Sequence, residues 1–440
     1  MSEMAAMLAG LALMVVPGAA PSAPTRPPVP VTELVFHAER PDGSIVASQS
    51  ADRPMNPASL IKIATSTWAL ARLGPEFRFE TGIGVRGALR DGIVDGDLII
   101  SGGGDPDFQV ENAFLVAAAC NHRGVHRVRG RVLVNGPFWI GWEHGRAGGS
   151  EEERTRRAGK MTARLTRALD PSRWDGPTRQ SWEAFRLRRR LAGPPPAVVV
   201  EGATRQPAGE NTLRPLLVHR SGSLLGILRR FDAWSNNDIN RLAGRLGPAA
   251  DLAAWLDGEL AGGPAPICLA TLSGQGRNRM SMRQIVALVR LHVKRLDDLG
   301  LPADAVLPVA GCSPGTLTHH PGLGQGDLAR AIIAKTGTLS RTDGGVVALA
   351  GVARTPEGEL FFGVALPAAA GRVTAGRRAL QAWVQRLVEA HGGPAPAACG
   401  TVPGFSDQEA AVAAVPSHPA GASSLAPRYG ARPGESTGPR

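Results

Sequence analysis

The chain has 440 residues, of which 43% are hydrophobic and 20% are charged, so it can bury a sizeable core and hold two domains. Its formal net charge is +11, yet only four of its 49 basic residues are lysines. The arginine-rich runs carry no interleaved aromatic residues, which argues against a nucleic-acid-binding surface and indicates solvated faces.

Residues 1–23 have the composition of a signal peptide. An apolar run, Met4 to Val16, is followed by small residues, as in exported proteins. Glu3 precedes the run and no basic residue does, so the predicted signal is atypical. The run is too short and too interrupted to predict a membrane span, and no other stretch predicts one. Residues 24–30 are predicted to be a linker.

A predicted β-hairpin, Val31–Ala38 with Ser44–Gln49, leads to a predicted helix that Asn56 caps and a Gly-Pro pair ends. Ser59 lies in the first turn, where unpaired backbone N–H groups and the helix dipole favour developing negative charge. Lys62 follows three residues later and therefore lies over the same face. A lysine with a strongly lowered pKa can remove the proton of a serine hydroxyl. The pair predicts a nucleophile and its base, although Ser-x-x-Lys alone is common by chance.

Two further motifs follow in the order that this chemistry requires. Ser235-Asn236-Asn237 falls within a helical pattern, Leu224 to Leu246, and Lys335-Thr336-Gly337 follows a strand-like run, Ala331 to Ala334. Ser-x-x-Lys, Ser-Asp-Asn and Lys-Thr-Gly together are the signature of penicillin-binding proteins and class A β-lactamases, and this chain has Ser-Asn-Asn as the second element. Two of the four lysines occupy motif positions, where arginine could not replace them because arginine does not deprotonate.

The rest of the chain predicts alternating helices and strands. Between residues 145 and 196 the sequence is arginine-rich and too poorly patterned for an assignment. The other predicted elements are strands over 77–100, 129–135, 332–334, 345–353 and 360–366, and helices over 113–123, 249–260, 281–299 and 375–391. Beyond residue 394 the Pro, Ala, Gly and Ser content predicts a disordered tail.

The four cysteines, Cys120, Cys268, Cys312 and Cys399, are far apart and form no Cys-x-x-Cys motif. They predict neither a disulfide scaffold nor a zinc site. Cys312, His319 and His320 have no recognisable metal-ligand spacing. The sequence therefore predicts no metal site and no cofactor.

Residues from about 31 to 390 resemble the penicillin-binding D-alanyl-D-alanine carboxypeptidase/endopeptidases of the low-molecular-mass class C type. The resemblance extends beyond the three motifs. It includes Gly96-Asp97-Leu98 with Gly102 to Pro106, Ser273 to Arg279, Leu307 to Gly311, Gly315 to Leu317, and Ala334 to Leu339.

The resemblance implies an α+β protein with the penicillin-binding/β-lactamase-like transpeptidase fold, an antiparallel sheet flanked by helices plus a helical subdomain. A smaller domain would be inserted into it. The implied division is a signal peptide at 1–23, a catalytic domain in two parts at 24–90 and 216–392, an inserted domain at 91–215, and a disordered tail at 393–440.

The resemblance also implies roles for the motif residues. Ser59 would attack the carbonyl between the two terminal D-alanines of a peptidoglycan stem peptide and form an acyl-enzyme. Lys62 would act as its base, and Ser235 would relay a proton to the leaving amine. Asn237 would bind the substrate amide and hold Lys62. Backbone N–H groups of Ser59 and Thr338 would form the oxyanion hole. The implied site therefore comprises catalytic Ser59, Lys62, Ser235, Asn237 and Lys335, and substrate-binding Thr336, Gly337 and Thr338.

The implied partners are peptidoglycan stem peptides as substrate and β-lactam antibiotics as covalent inhibitors, with no nucleic acid. The implied location is the periplasm. Peripheral membrane association stays open, as does the balance between removing a terminal D-alanine and cutting cross-links.

Two alternatives also remain open. A class A β-lactamase needs a deacylating glutamate, but no Glu-x-x-Leu-Asn pattern follows Ser235. A class C enzyme or esterase of this fold would have tyrosine at that position, and the only tyrosine is Tyr429. A catalytically silent wall-binding protein would not need the intact motif residues.

Overall fold

A computed structural model describes residues 29–143, 151–203, 213–260, 265–400 and 402–415. The predicted signal peptide lies outside these ranges. The strands are β1 (Val35–Glu39), β2 (Ile45–Gln49), β3 (Glu80–Arg90), β4 (Ile93–Ser101), β5 (Arg127–Val128), β6 (Val132–Asn135), β7 (Val199–Val200), β8 (Leu213–Arg220), β9 (Ile332–Leu339), β10 (Val346–Thr355), β11 (Gly358–Pro367) and β12 (Ala411–Ala414). The helices are α1 (Ile61–Leu73), α2 (Val110–His122), α3 (Glu151–Leu169), α4 (Gly176–Arg189), α5 (Leu224–Ala233), α6 (Ala243–Leu246), α7 (Ala249–Glu259), α8 (Met282–Asp298) and α9 (Val373–Glu389).

The first sheet has five antiparallel strands in the order β2-β1-β11-β10-β9. Its central strands are apolar on both faces because helices cover both. In β10, Val346 and Ala348 belong to the core that includes α1 and α8, while Val347 and Leu349 belong to the core that includes α9. This alternation is the period-two pattern of a strand buried between two layers. Strand β9, which carries Lys335 and Thr336, lies at the edge of this sheet.

Helix α8 shows why these boundaries were readable from the sequence. The Ser281 hydroxyl accepts a hydrogen bond from the Gln284 N–H at 3.2 Å, and the Gln284 side chain accepts from the Ser281 N–H at 2.8 Å. This reciprocal capping satisfies two otherwise unpaired donors and starts the helix one residue after the predicted position.

The second sheet has seven strands, with the path β12-β8-β3-β4-β5-β7 and β6 paired to β4. Helices α2 and α3 cover it, and their apolar residues share one core with its strands. The sequence division assigned β3 to the catalytic part that ends at residue 90. That assignment is wrong, because β3 pairs with β8 over residues 80–86 and with β4 over residues 82–90. The amino-acid composition does not change along the hairpin that joins β3 to β4. The sequence therefore did not indicate where the first catalytic part ends and the inserted domain begins.

The predicted helix from Leu224 to Leu246 is interrupted. Helix α5 ends at Ala233, and Ser235 has a left-handed backbone conformation with φ of 52°. A 3-10 segment, Asn237–Leu242, follows before α6 begins. The apolar spacing continues across the break, which is why periodicity predicted one helix. The break turns the chain at the second motif.

The predicted tail is partly folded. Strand β12 pairs with β8, and the buried Asp407 carboxylate binds Arg188 at 3.0 Å and Arg189 at 3.3 Å. Cys399 forms a disulfide with Cys312 across a sequence separation of 87 residues. The prediction of a disordered tail is therefore corrected for the described residues, and the cysteines, which predict no disulfide scaffold, include this one bonded pair. Composition missed this segment because contacts distant in sequence order it.

We call residues 394–415 the C-terminal strap. Within it, Glu409 accepts hydrogen bonds from the Ser223 N–H at 3.0 Å and the Ser223 hydroxyl at 2.8 Å, at the start of α5. The strap thus contacts both the second sheet and the helix that leads to the second motif. Among the described residues, no helix has the length and apolar character needed to cross a bilayer.

Candidate functional site

Ser59 lies in a 3-10 turn, Ala58–Leu60, that leads into α1. The Asn56 side chain accepts a hydrogen bond from the Ala58 N–H at 3.0 Å and donates to the Gly276 carbonyl at 2.8 Å. Ala58 has φ of 51°, so the chain turns sharply just before the serine. The predicted cap therefore acts on this turn, and the α-helix begins at Ile61 rather than at Pro57.

Lys62 connects the first two motifs directly. Its Nζ atom lies 2.9 Å from the Ser59 Oγ atom, 2.9 Å from the Asn237 Oδ1 atom and 2.8 Å from the Ser273 carbonyl oxygen. The side chain is fully buried. Three acceptors thus hold the amine at hydrogen-bond distance from the serine hydroxyl, the geometry that a nucleophile and its base require.

The pKa of Lys62 lies well below its ordinary value. Burial is the larger cause, since it disfavours the charged amine, and the charge of Lys335 adds to it. Burial also lowers the pKa of Lys335, to about 8. The first motif therefore holds an amine that can lose its proton at moderate pH.

The break after α5 presents the second motif. Ser235, in its left-handed conformation, is partly exposed, and its backbone N–H donates to the Asp232 carbonyl at 3.3 Å. The Asn236 side chain accepts from the Asp238 N–H at 2.9 Å and caps the 3-10 segment. This cap orients Asn237 toward Lys62. A continuous helix through residues 235–237 would not place Ser235 and Asn237 in these positions.

The third motif lies on the edge strand β9, against the serine turn. A Cβ atom added at Gly337 would lie 3.1 Å from the Pro57 carbonyl oxygen, so a larger residue would fit only if the serine turn shifted slightly. Lys335 is fully buried and donates to the Thr336 carbonyl at 3.0 Å. Thr338 is partly exposed beside the turn, which leaves its edge of the strand accessible to a ligand.

The structure therefore brings the eight predicted site residues to one place. Ser59, Lys62 and Asn237 are joined by direct hydrogen bonds, and Lys335 acts on Lys62 through its charge. Ser235 lies two residues before Asn237, in the same turn. Thr336, Gly337 and Thr338 lie on strand β9.

Sequence reasoning assigned no role to three other residues at the site. The Ser273 carbonyl accepts from Lys62, and the Thr316 hydroxyl lies 2.7 Å from that of Thr336. Ser273 and Thr316 fall in stretches that carry the family resemblance, which was a usable signal. Asp232 is fully buried next to the second motif and carried no signal. Within the described ranges, no cluster of three or more His, Cys, Asp or Glu is arranged to hold a metal ion.

A comparison with known protein families identifies the family of this chain. Residues 35–147 and 272–387, together just over half of the chain, match the model of the D-Ala-D-Ala carboxypeptidase 3 (S13) family. The chain belongs to this family. The matched segments contain the first motif and the third, while the second motif, at 235–237, lies between them.

A curated relative of the S13 chain is D-alanyl-D-alanine carboxypeptidase DacB of Haemophilus influenzae, which is 29% identical over 91 residues. That match covers 21% of this chain and 19% of the relative's length.

Two solved structures share the fold. The Bd0816 predatory endopeptidase of Bdellovibrio bacteriovorus, solved with immunity protein Bd3460, superposes with a TM-score of 0.70 at 20% identity, covering 86% of this chain and 98% of that one. Penicillin G-acylated Bd3459 predatory endopeptidase of the same organism, also solved with Bd3460, superposes with a TM-score of 0.68 at 20% identity and the same coverage. The expected penicillin-binding fold is thereby confirmed.

Proposed function

We propose that this chain is a serine-type D-alanyl-D-alanine carboxypeptidase that acts on peptidoglycan stem peptides through an acyl-enzyme on Ser59. The observation that carries the proposal is the buried Lys62 amine at 2.9 Å from the Ser59 hydroxyl, together with its lowered pKa. Its membership of the S13 family gives the substrate class.

In the first half-reaction, neutral Lys62 takes the Ser59 proton while Oγ attacks the carbonyl between the two terminal D-alanines. Backbone N–H groups of Ser59 and Thr338 stabilise the oxyanion, a contribution of about 3 kcal/mol per donor. The proton passes through Ser235 to the amine of the leaving D-alanine. Lys335 and Thr336 bind the terminal carboxylate, and Asn237 binds the substrate amide.

In the second half-reaction, water attacks the acyl-enzyme and releases the shortened peptide, restoring Ser59. If the leaving amine belongs to the side chain of a second stem peptide, the same steps cut a cross-link. The site then acts as an endopeptidase, because the attacked bond is the same and only the leaving group differs.

Labelling with a fluorescent penicillin tests the proposal. We expect a stable covalent adduct whose mass maps to Ser59, with none on Ser59→Ala. Rapid turnover of the penicillin would instead identify a β-lactamase, and the absence of any adduct on the wild-type chain would identify a silent binding protein. Digestion of purified muropeptides then measures released D-alanine against split dimers.

We also infer that the protein works in the periplasm after export by an N-terminal signal peptide. The Cys312–Cys399 disulfide supports this location, because such bonds persist in oxidising compartments. Fractionation of cells expressing the full chain, with mass spectrometry of the mature N-terminus, tests both points. Release of the protein from the membrane fraction by high salt would indicate peripheral association.

A further inference from the structure

Asp232 is a fully buried carboxylate one turn before Ser235. Its Oδ2 atom accepts a hydrogen bond from the Ser66 hydroxyl at 2.6 Å. Its Oδ1 atom has no hydrogen-bond partner in the part of the chain that the structure describes. A carboxylate buried in this way is costly unless an opposite charge lies nearby.

The opposite charges are the two site lysines. Ser66 follows Lys62 by four residues on α1, so both side chains lie on the helix face that packs against α5. Burial raises the pKa of Asp232, while the charge of Lys335, the hydrogen bond from Ser66 and the charge of Lys62 act in the opposite direction. In return, Asp232 acts to raise the pKa of both lysines.

The other charged groups near Asp232 have their own partners. Arg230 binds Asp107 at 2.6 Å, and Arg229 donates to the Ala305 carbonyl at 2.8 Å. On the 3-10 segment packed against α5, Asp238 lies 3.4 Å from Arg241. The charge of Asp232 is therefore shared between Lys335 and Lys62.

One negative charge can balance only one of two buried amines. A second buried positive charge would have no partner, so one amine keeps its proton and the other loses it. Lys335 has a pKa of about 8, and that of Lys62 is driven down further by the charge of Lys335 itself. The balance therefore leaves Lys335 charged and Lys62 neutral.

We propose that Asp232 is a positioning residue that acts through Lys335: its carboxylate keeps the positive charge on Lys335 and thereby leaves Lys62 free to act as the base. The proposal rests on the proposed function, since it gives each lysine its protonation state for that reaction. Asp232 is fully buried and is not among the residues that we assign to substrate binding.

Asp232→Asn removes the charge but keeps an acceptor oxygen for Ser66. We expect the pKa of Lys335 to fall by about one unit, because the charge of Asp232 acts to raise it. The alkaline limb of the penicillin acylation rate should move to lower pH by the same amount. Asp298→Asn is the matched control, since it makes the same change at an exposed pair, where Lys294 lies 3.1 Å away, so its alkaline limb should not move.

The lysine content allows a direct measurement. With four lysines in the chain, selective 13C labelling gives four side-chain signals, which Lys62→Arg and Lys335→Arg assign. In the wild-type protein at pH 7 we expect a charged Lys335 and a neutral Lys62. Two charged lysines, or a neutral Lys335, would overturn the proposal.

An unchanged Lys335 titration in Asp232→Asn would also overturn it. These results are separate from the test of function. A wild-type protein that forms no penicillin adduct contradicts the proposed function, whereas the lysine titrations report on Asp232 whether or not the adduct forms.

Discussion

The hydroxyl groups of Thr316 and Thr336 lie 2.7 Å apart, so the loop after Cys312 is joined to the edge strand that carries the third motif. This contact fixes the rotamer of the threonine that we assign to the substrate carboxylate. The loop itself is close-packed, because a Cβ atom added at Gly315 would lie 2.1 Å from the Ala233 carbonyl oxygen. The first prediction follows from this contact.

Thr316→Val removes the hydroxyl and keeps the side-chain shape. We expect acylation by a fluorescent penicillin to slow about fivefold, since a hydrogen bond contributes about 1 kcal/mol. The loss should appear in the concentration dependence, as weaker binding. Thr162→Val, on helix α3, where the hydroxyl donates to the Ala158 carbonyl at 3.0 Å, is the control and should label at the wild-type rate. Equal rates for the two variants would contradict the role of Thr316.

Lys62→Arg replaces an amine that can be neutral with a guanidinium that stays charged, so it removes the base. We expect the acylation rate to fall by about 10²- to 10⁴-fold, the range of a general base. Lys294→Arg makes the same change on an exposed surface, where Lys294 pairs with Asp298 at 3.1 Å, and should leave the rate unchanged. Stopped-flow labelling measures both, and a Lys62→Arg enzyme with near-normal rates would exclude Lys62 as the base.

The pH dependence follows from the two lysines. The active form has neutral Lys62 and protonated Lys335, so the rate should rise as Lys62 loses its proton and fall as Lys335 loses its own near pH 8. Lys335→Arg cannot deprotonate, so its profile should lose the alkaline limb while keeping the acid limb. A fall near pH 8 that persists in Lys335→Arg would assign that limb to another group.

Cys312→Ser breaks the bond that anchors the C-terminal strap. We expect the free energy of unfolding to fall by about 2–4 kcal/mol, because the closed loop spans 87 residues and the unfolded chain gains its freedom. Cys268→Ser is the control, since Cys268 is an exposed free thiol. Urea unfolding without reductant compares the two variants. Identical midpoints would mean that the bond does not stabilise the fold.

Asp107→Asn breaks a buried ion pair near the start of α2. Asp107 accepts from Arg230 at 2.6 Å and from the Trp142 indole N–H at 2.8 Å. Removing one partner leaves the Arg230 charge buried, so we expect a loss of about 3–5 kcal/mol in unfolding free energy. Asp298→Asn, at an exposed pair, should cost less than about 1 kcal/mol. If Asp107→Asn and Asp298→Asn lost similar amounts of unfolding free energy, the Arg230 charge would be solvated.

The predictable part of this molecule lies where signals are local. The cap at Ser281, the turn before Gly358 and the apolar runs of β10 and β11 all act over a few residues, so their elements follow from the sequence. The three motifs also specify residue types that the chemistry needs. Only the family resemblance predicted that the three motifs meet at one site, because no local pattern places Asn237 beside Lys62.

The rest depends on contacts distant in sequence. The helix break at Ser235 is invisible to apolar periodicity because the spacing resumes after it. The pairing of Cys312 with Cys399 has no spacing rule. Asp232 looks like any helical acidic residue until the fold buries it beside two amines.

The C-terminal strap has a consequence for how the protein is made. Strand β12 closes the edge of the second sheet next to β8, yet its residues are translated roughly 200 positions after β8. Until β12 leaves the ribosome, the β8 edge stays open to other chains. A newly made polypeptide that stalls before residue 411 would expose an unpaired strand, which makes the codons of β12 a determinant of solubility during synthesis.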